Sequence, residues 1–376
     1  MTLGVQVIPR DAPPARGAPT DTGTWYVGAY TTSGTAGTPI PVYSLAEFES
    51  AVGGRTGQNT LLYDCLDFYF REGGKRAVIS KAATQDAAGL TAALAVFGPQ
   101  LGPGQVSAIN FTPAADIYTA LFSHAAANNR VVLADVTSAV ASGVGPHEAL
   151  ADLMPSNQAS YGALFGPWAI GPGPANVSGV TSRTVPASPV IAALCARVDE
   201  AGNPNQAAAG RDFPLRYVED LVQHWSMTDI DTLLNNGVNS MSEVYGVLEN
   251  YGFQTNVPQS DQAPFWQFNC ARMRMAIVAE AKALAENYMF KPLDGRGLVE
   301  GALKTDLDAM LLNYYNLNGL FGATPEEAFQ VDVTSLINTP STIAQGELHA
   351  VASVRLTLHT KSIIIDLVSV PVTGTV

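Results

Sequence analysis

The sequence predicts an α/β fold, α+β overall: a mostly parallel sheet with helices on its faces, a carboxy-terminal α+β unit with long helices on a small sheet, and extended arms at both ends. Three observations predict it. Apolar strand-like runs alternate with helical segments from about residue 25 to 240. Two long helical repeats then follow, ahead of an alternating strand at 346–358. Lastly, "MTLGVQVIPR" and "SIIIDLVSVPV" place a strand-forming segment at each end, outside that order. Apolar strand edges are hazards that proteins normally cover, so the ends ask for a partner.

The elements follow in turn. Residues 9–24 are rich in Pro, Ala, Gly and Thr and read as a linker or arm. "TWYVGAY" is a buried strand. "SLAEFESAVG" is a short helix with Ser44 as N-cap and Glu47 completing a capping box. "NTLLYDCLDFYFREGG" is a longer helix stopped by Gly73 and Gly74. "RAVISK", "QVSAINF" and "RVVLADV" are strands, with helices at "LTAALAVFG" and "PAADIYTALFSHAAANN" between them. "SYGALFGPWAIG" reads as one strand, and "SPVIAALCARVDEAG" as a helix with Ser188 as N-cap and Pro189 at its first position.

Beyond Pro264, Trp266, Cys270, Met273, Ile277, Ala281, Leu284 and Tyr288 recur at spacings of three and four, one face of a helix ended by Pro292. Val299, Leu303, Leu307, Met310 and Tyr314 repeat the pattern up to Gly319. "TPEEAF" offers Thr324 as N-cap, Pro325 at the first helical position and Glu327 for a capping box, and "FQVDV" is a strand. In "GELHAVASVRLTL", Leu348, Ala350, Ala352, Val354, Leu356 and Leu358 share one face, as a half-buried strand requires. "SIIIDLVSVPV" is apolar on both faces and expects cover on both.

Composition narrows the function. At 376 residues the chain exceeds one simple core, and 47% hydrophobic residues exclude wholesale disorder. Only 14% are charged, so much of the surface is expected to be covered by something else. The net charge of −13 argues against nucleic acid as a direct ligand. Residues 45–261 carry 10 basic and 20 acidic side chains, whereas 262–376 carry 8 and 11. The middle therefore looks solvated, and the ends look covered. No apolar run approaches a membrane span, and no signal-peptide pattern is present, so synthesis and residence in a cytoplasm are expected.

Chemistry is thinly represented. Cys65, Cys195 and Cys270 are scattered, with no C-x-x-C and no nearby His, as for buried thiols rather than a metal site. "GGRTGQNT" at 53–60 lacks the Lys of a phosphate loop and reads as a turn around Arg55. Ser188, Asp135 and His124 or His147 could compose a serine hydrolase, but no G-x-S-x-G elbow is present. His349 and His359 read as ordinary strand or turn positions. No active site, cofactor or metal is expected.

Four ordered blocks carry a family resemblance. The first runs from "TGTWYVGAY" to "REGGKRAVISKA". The second is "YGALFGPWAIGPG" with "VPASPVIAALCARVDEAGNPNQAAAG"; the third joins "LNNGVNSM", "YGFQTNV" and "FNCARMRMAI". The fourth is "GLFGATPEEAFQVDV". In these the chain resembles the sheath proteins of contractile phage tails and related contractile injection machines. It departs from the family at "VPASP" and at "FKPLD", where loop shapes differ.

The resemblance implies a division into an amino-terminal arm (1–24), an outer, subtilisin-like but non-catalytic domain (25–260), an inner assembly domain (261–360) and a carboxy-terminal arm (361–376). It implies that both arms add strands to neighbouring subunits. Donor residues would include Val5, Val7, Ile8, Ile363, Ile365, Leu367 and Val370, and the receptor strand Leu348, Val354 and Leu356. The implied function is a structural subunit, stacked in helical or hexameric layers around a tail tube, that contracts to drive the tube through a cell envelope. Implied partners are further copies, the tube protein, and baseplate and tail-terminator proteins, in a virion tail assembled in the host cytoplasm or in a cell-encoded device. The alternatives from the residues alone are a soluble hydrolase and a non-contractile shell protein.

Overall fold

The computed structural model describes residues 21–363 except 140–142, 176, 202–203, 261–262, 294 and 362. The expected donor segments at 2–8 and 362–376 lie outside the described residues except for Ile363, and with them Val5, Val7, Ile8, Ile365, Leu367 and Val370.

The chain opens with β1 (Trp25–Tyr30), β2 (Ile40–Val42), α1 (Leu45–Ala51), α2 (Asn59–Glu72) and β3 (Ala77–Ala82). Then follow α3 (Ala87–Ala95), β4 (Gln105–Ile109), α4 (Ala115–Ala127), β5 (Val131–Asp135) and α5 (Gly145–Ala151). Next come β6 (Gly162–Gly166), β7 (Ala169–Pro172), β8 (Ser182–Val185), α6 (Ala187–Glu200), β9 (Asp220–Leu221), α7 (Met227–Asn235), β10 (Val238–Val244) and β11 (Val247–Asn250). The carboxy-terminal part holds α8 (Phe268–Glu286), α9 (Leu298–Asn316), α10 (Pro325–Ala328), β12 (Phe329–Asp332), α11 (Pro340–Ala344) and β13 (Val351–Val354).

Eight strands form one sheet in the order β11-β10-β6-β5-β4-β1-β3-β2. The six inner strands are parallel, and the two edges, β2 and β11, are antiparallel. Because strand side chains alternate, the apolar runs feed two cores at once. Trp25, Val27 and Ala29 face a core shared with α2 and α6, while Tyr26 faces a second core with α3 and α4. At Gly28 a Cβ would stand 2.8 Å from Leu90 Cδ1, so glycine lets α3 lie directly on β1. The stop after α2 is as expected: Gly73 sits at φ +112°, and Gly74 N–H donates to the Tyr69 carbonyl.

Three expectations need correction. "SYGALFGPWAIG" is two strands in two sheets. It breaks at the cis Gly166–Pro167 peptide, and β7 pairs with β8 and β9. Proline has no N–H to continue the ladder, and a Cβ at Gly166 would stand 2.4 Å from Val136 Cγ2. Ser188 is not an N-cap. The helix starts at Ala187 after Pro186, and the capping acceptor is the Asp135 carboxylate at the end of β5, which takes the Ser188 N–H at 2.7 Å. Finally, the strand expected at 346–358 pairs with β12 only over Val351–Val354; after it residues 355–357 bond to Ala328 and to residues 319–321 through a Leu320–Leu356 bridge, and before it Asn338 clasps the backbone of His349.

A third core lies beyond residue 270. Leu303, Leu307, Met310 and Tyr314 of α9 meet Met273, Ala276 and Ile277 of α8. Helix α8 joins two cores, since its Phe268, Ala271 and Met275 belong to the core under the large sheet. It ends at Glu286, before Pro292, so the proline follows the stop rather than causing it.

Candidate assembly surface

The small sheet is where the structure leaves hydrogen-bonding capacity open. β12 and β13 pair antiparallel, Phe329 with Val354 and Asp332 with Val351. Among the described residues no third strand joins either side. A two-stranded ribbon is marginal alone, and its outer edge is a template for another strand. Leu348, Val354 and Leu356 pack against the third core, as their face requires. Ala350, Ala352 and Leu358 are exposed, so the expected half-buried face is only half covered. Beside β13 runs a cleft of about 880 Å³, walled by Pro258, Pro264 and Trp266 on one side and by Val354 and Leu356 on the other. Ile363, the one donor residue described, is 78% exposed.

The described ends of the two expected arms are firmly rooted. Thr22 is fully buried: its N–H and Oγ1 donate to Asp199 Oδ2 at 3.0 and 2.7 Å, and its carbonyl accepts from Gln105 Nε2 at 2.7 Å. Residues 22–24, within the expected arm, are thus part of the body. At the other end, Gln267 exchanges two hydrogen bonds with the backbone of His359. His359 is therefore no ordinary turn position. Its Nδ1 accepts from Asn269 Nδ2 at 3.2 Å, and burial lowers its pKa. Sequence reasoning missed Gln267, Asn269 and Arg272. The available signal was an Asn and an Arg inside an apolar helix face; both are buried.

Elsewhere the buried charges are structural. Arg183 spans Asp64 at 3.1 Å and Asp67, and also reaches Tyr217 Oη and the Pro172 carbonyl. Arg55 and Arg71 engage the same two carboxylates from the protein's surface side. Arg55 therefore belongs to an ion network and the "GGRTGQNT" loop to a turn. Glu72 accepts the Arg216 and Tyr217 N–H groups, both at 2.6 Å.

The hydrolase residues do not assemble. Ser188 Oγ donates to Asp135 Oδ2 at 2.6 Å, and Ser188 is fully buried. A nucleophile faces substrate and, in a Ser-His-Asp triad, bonds an imidazole; this hydroxyl is buried and bonds Asp135 directly. His147 contacts Gln223 and the Trp225 ring, and His124 contacts Arg130. Burial pushes Asp135 up to about 7. All three cysteines are buried and free, with Cys195 and Cys270 pushed up to about 11 and 12 by desolvation. Among the described residues no group of three metal-binding side chains occurs, and no helix is long and apolar enough to cross a membrane.

A large parallel sheet, a helix shared between two cores, and a two-stranded sheet beside them make up the described fold. Solved structures match that fold from end to end. The chain is similar to a chain of the contracted-state PVC sheath complex, an extracellular contractile injection system (15% identity, TM-score 0.74, 98% of each chain). It is also similar to a chain of the contracted helical sheath of the anti-feeding prophage (20% identity, TM-score 0.71, 98% of this chain and 99% of that one). A chain of the anti-feeding prophage baseplate matches at 19% identity and TM-score 0.72, over 98% of this chain and 99% of that one. No protein-family model and no curated protein sequence matches the chain.

Proposed function

We propose that the protein is a structural sheath subunit that polymerises around a tail tube and contracts to drive the tube through a target cell envelope. The observation that carries this reading is the end-to-end likeness of the fold to chains of contracted sheath complexes. The open edge of β13 supports it, because a subunit built to receive a strand needs such an edge.

On this reading residues 1–24 and 361–376 are arms, the first rooted in the body over 22–24, with 25–260 an outer domain and 261–360 an inner assembly domain. The donors are Val5, Val7, Ile8, Ile363, Ile365, Leu367 and Val370, and the receptor strand carries Leu348, Val354 and Leu356. Partners are further copies in stacked hexameric layers, the tube protein, and baseplate and terminator proteins. The location is a virion tail or a cell-encoded injection device. Contraction uses bistable packing between subunits, with no catalysis, cofactor, nucleic acid or membrane insertion. The buried Ser188 hydroxyl, bonded to a carboxylate instead of an imidazole, supports the non-enzymatic reading over a hydrolase.

Truncation tests it. Deleting residues 1–20 or ending the chain at Lys361 should leave a folded subunit that no longer sediments as polymer. Loss of the thermal transition in both truncations would place these segments in the subunit's own core and overturn the assignment.

A further inference from the structure

We infer that the first turns of α8 are a shared anchor for the roots of both proposed arms, so that part of any tension between the arms crosses this one short segment. The consequence for the polymer rests on the proposed sheath reading; the anchor itself does not.

Beyond the backbone bond from Thr357 N–H to the Gly319 carbonyl, the carboxy-terminal root is held by side-chain amides. Gln267 Nε2 donates to the His359 carbonyl at 2.7 Å, and Gln267 Oε1 accepts the His359 N–H at 2.8 Å. This reciprocal pair copies the exchange made by opposed residues of an antiparallel sheet. The backbone of Gln267 is itself bridged to Gln254, and its neighbour Phe268 donates to the Phe253 carbonyl. Gln267 therefore joins the tail to the large domain. Asn269 Nδ2 faces the Asn205 Oδ1, Thr357 carbonyl and His359 Nδ1 acceptors together. Gln267 and Asn269 are 5% and 1% exposed, so water competes poorly for these bonds.

The amino-terminal root is held by the next turn. Arg272, fully buried, donates from Nη2 to Thr22 Oγ1 at 3.2 Å and to Asp199 Oδ1 at 2.6 Å. Asp199 in turn holds the Thr22 N–H and hydroxyl. From Gln267 to Arg272 is about 7.5 Å of helix rise. A pull on residues beyond 361 and a pull on residues before 22 therefore meet within one and a half turns. The large sheet shares the amino-terminal load, since Gln105 of β4 also holds the Thr22 carbonyl at 2.7 Å.

The test compares Gln267→Met with the charge-free double variant Arg272→Met/Asp199→Leu, which removes both buried ions together. Hydrogen–deuterium exchange on purified subunits reads each root. Gln267→Met should speed exchange of the His359 amide by about 30-fold, as two lost hydrogen bonds imply, and leave residues 22–24 unchanged. The double variant should do the reverse. In polymer, both should lower the urea concentration at which subunits detach while still folded. Unchanged exchange at His359 in Gln267→Met overturns the anchor. Expected exchange in subunits with polymers as resistant as wild type overturns the load path. Should wild-type subunits give the expected exchange yet never polymerise, the anchor stands and the sheath reading falls.

Discussion

Asp135 is a carboxyl group that the fold prefers to keep protonated. Its pKa is raised from 3.8 to about 7, with burial outweighing its bonds to Ser188 and Ala187. A raised folded pKa means the folded state holds the proton more tightly. The stabilisation is complete below pH 3.8 and is lost as pH rises through 7. Asp135→Asn should gain about 1–3 kcal/mol on wild type between pH 5 and pH 8, measured by urea denaturation at the two values. Equal stability at both would mean that the Ser188 bonds already satisfy the ionised form. His124 acts in the opposite direction. Burial and Arg130 lower it to about 4, so its contribution is present above pH 6.5 and lost as pH falls through 4. Arg183 makes a third residue-level test. Arg183→Met leaves Asp64 and Asp67 with only Arg55 and Arg71, and should cost about 3 kcal/mol by denaturant titration.

Among the elements, α3 depends on one missing side chain. Gly28→Ala would push its methyl against Leu90 and Leu94 and should cost about 1–3 kcal/mol, read as a lower thermal midpoint without change of fold. The elements legible in the sequence were those whose signals are local. α2, α4, α8 and α9 carry the 3.6 period, and β1, β3, β4 and β5 are bounded apolar runs. Illegible elements depended on distant partners. β8 and β9 are short and exist because β7 lies between them. β10 and β11 escape notice because Asn239, Ser240 and Ser242 break the apolar pattern, although all three are buried and hydrogen-bonded inside. The helix start at Ala187 was hidden because its capping carboxylate comes from residue 135. In the candidate site, the strand edge could be read from alternation. The amide anchor could not, since Gln267 and Asn269 gain their roles only when residues 357–359 return beside them.

For the whole molecule the account concerns what covers the open sheet. As a strand, the proposed carboxy-terminal arm would set Ile363, Ile365 and Leu367 against Ile364, Asp366 and Val368, so that only one face would carry a charge. The proposed register seats the apolar face on a neighbour. Ile365→Asp should then abolish sedimenting polymer, and Asp366→Asn should be tolerated; the opposite result would shift the register by one residue. The most direct measurement is a cryo-electron microscopy reconstruction of the assembled protein. The account predicts a hollow tube in which a strand from a neighbouring subunit lies along the free edge of β13. Subunits that stay monomeric, or a polymer in which that edge is bare or covered by the subunit's own chain, would contradict it.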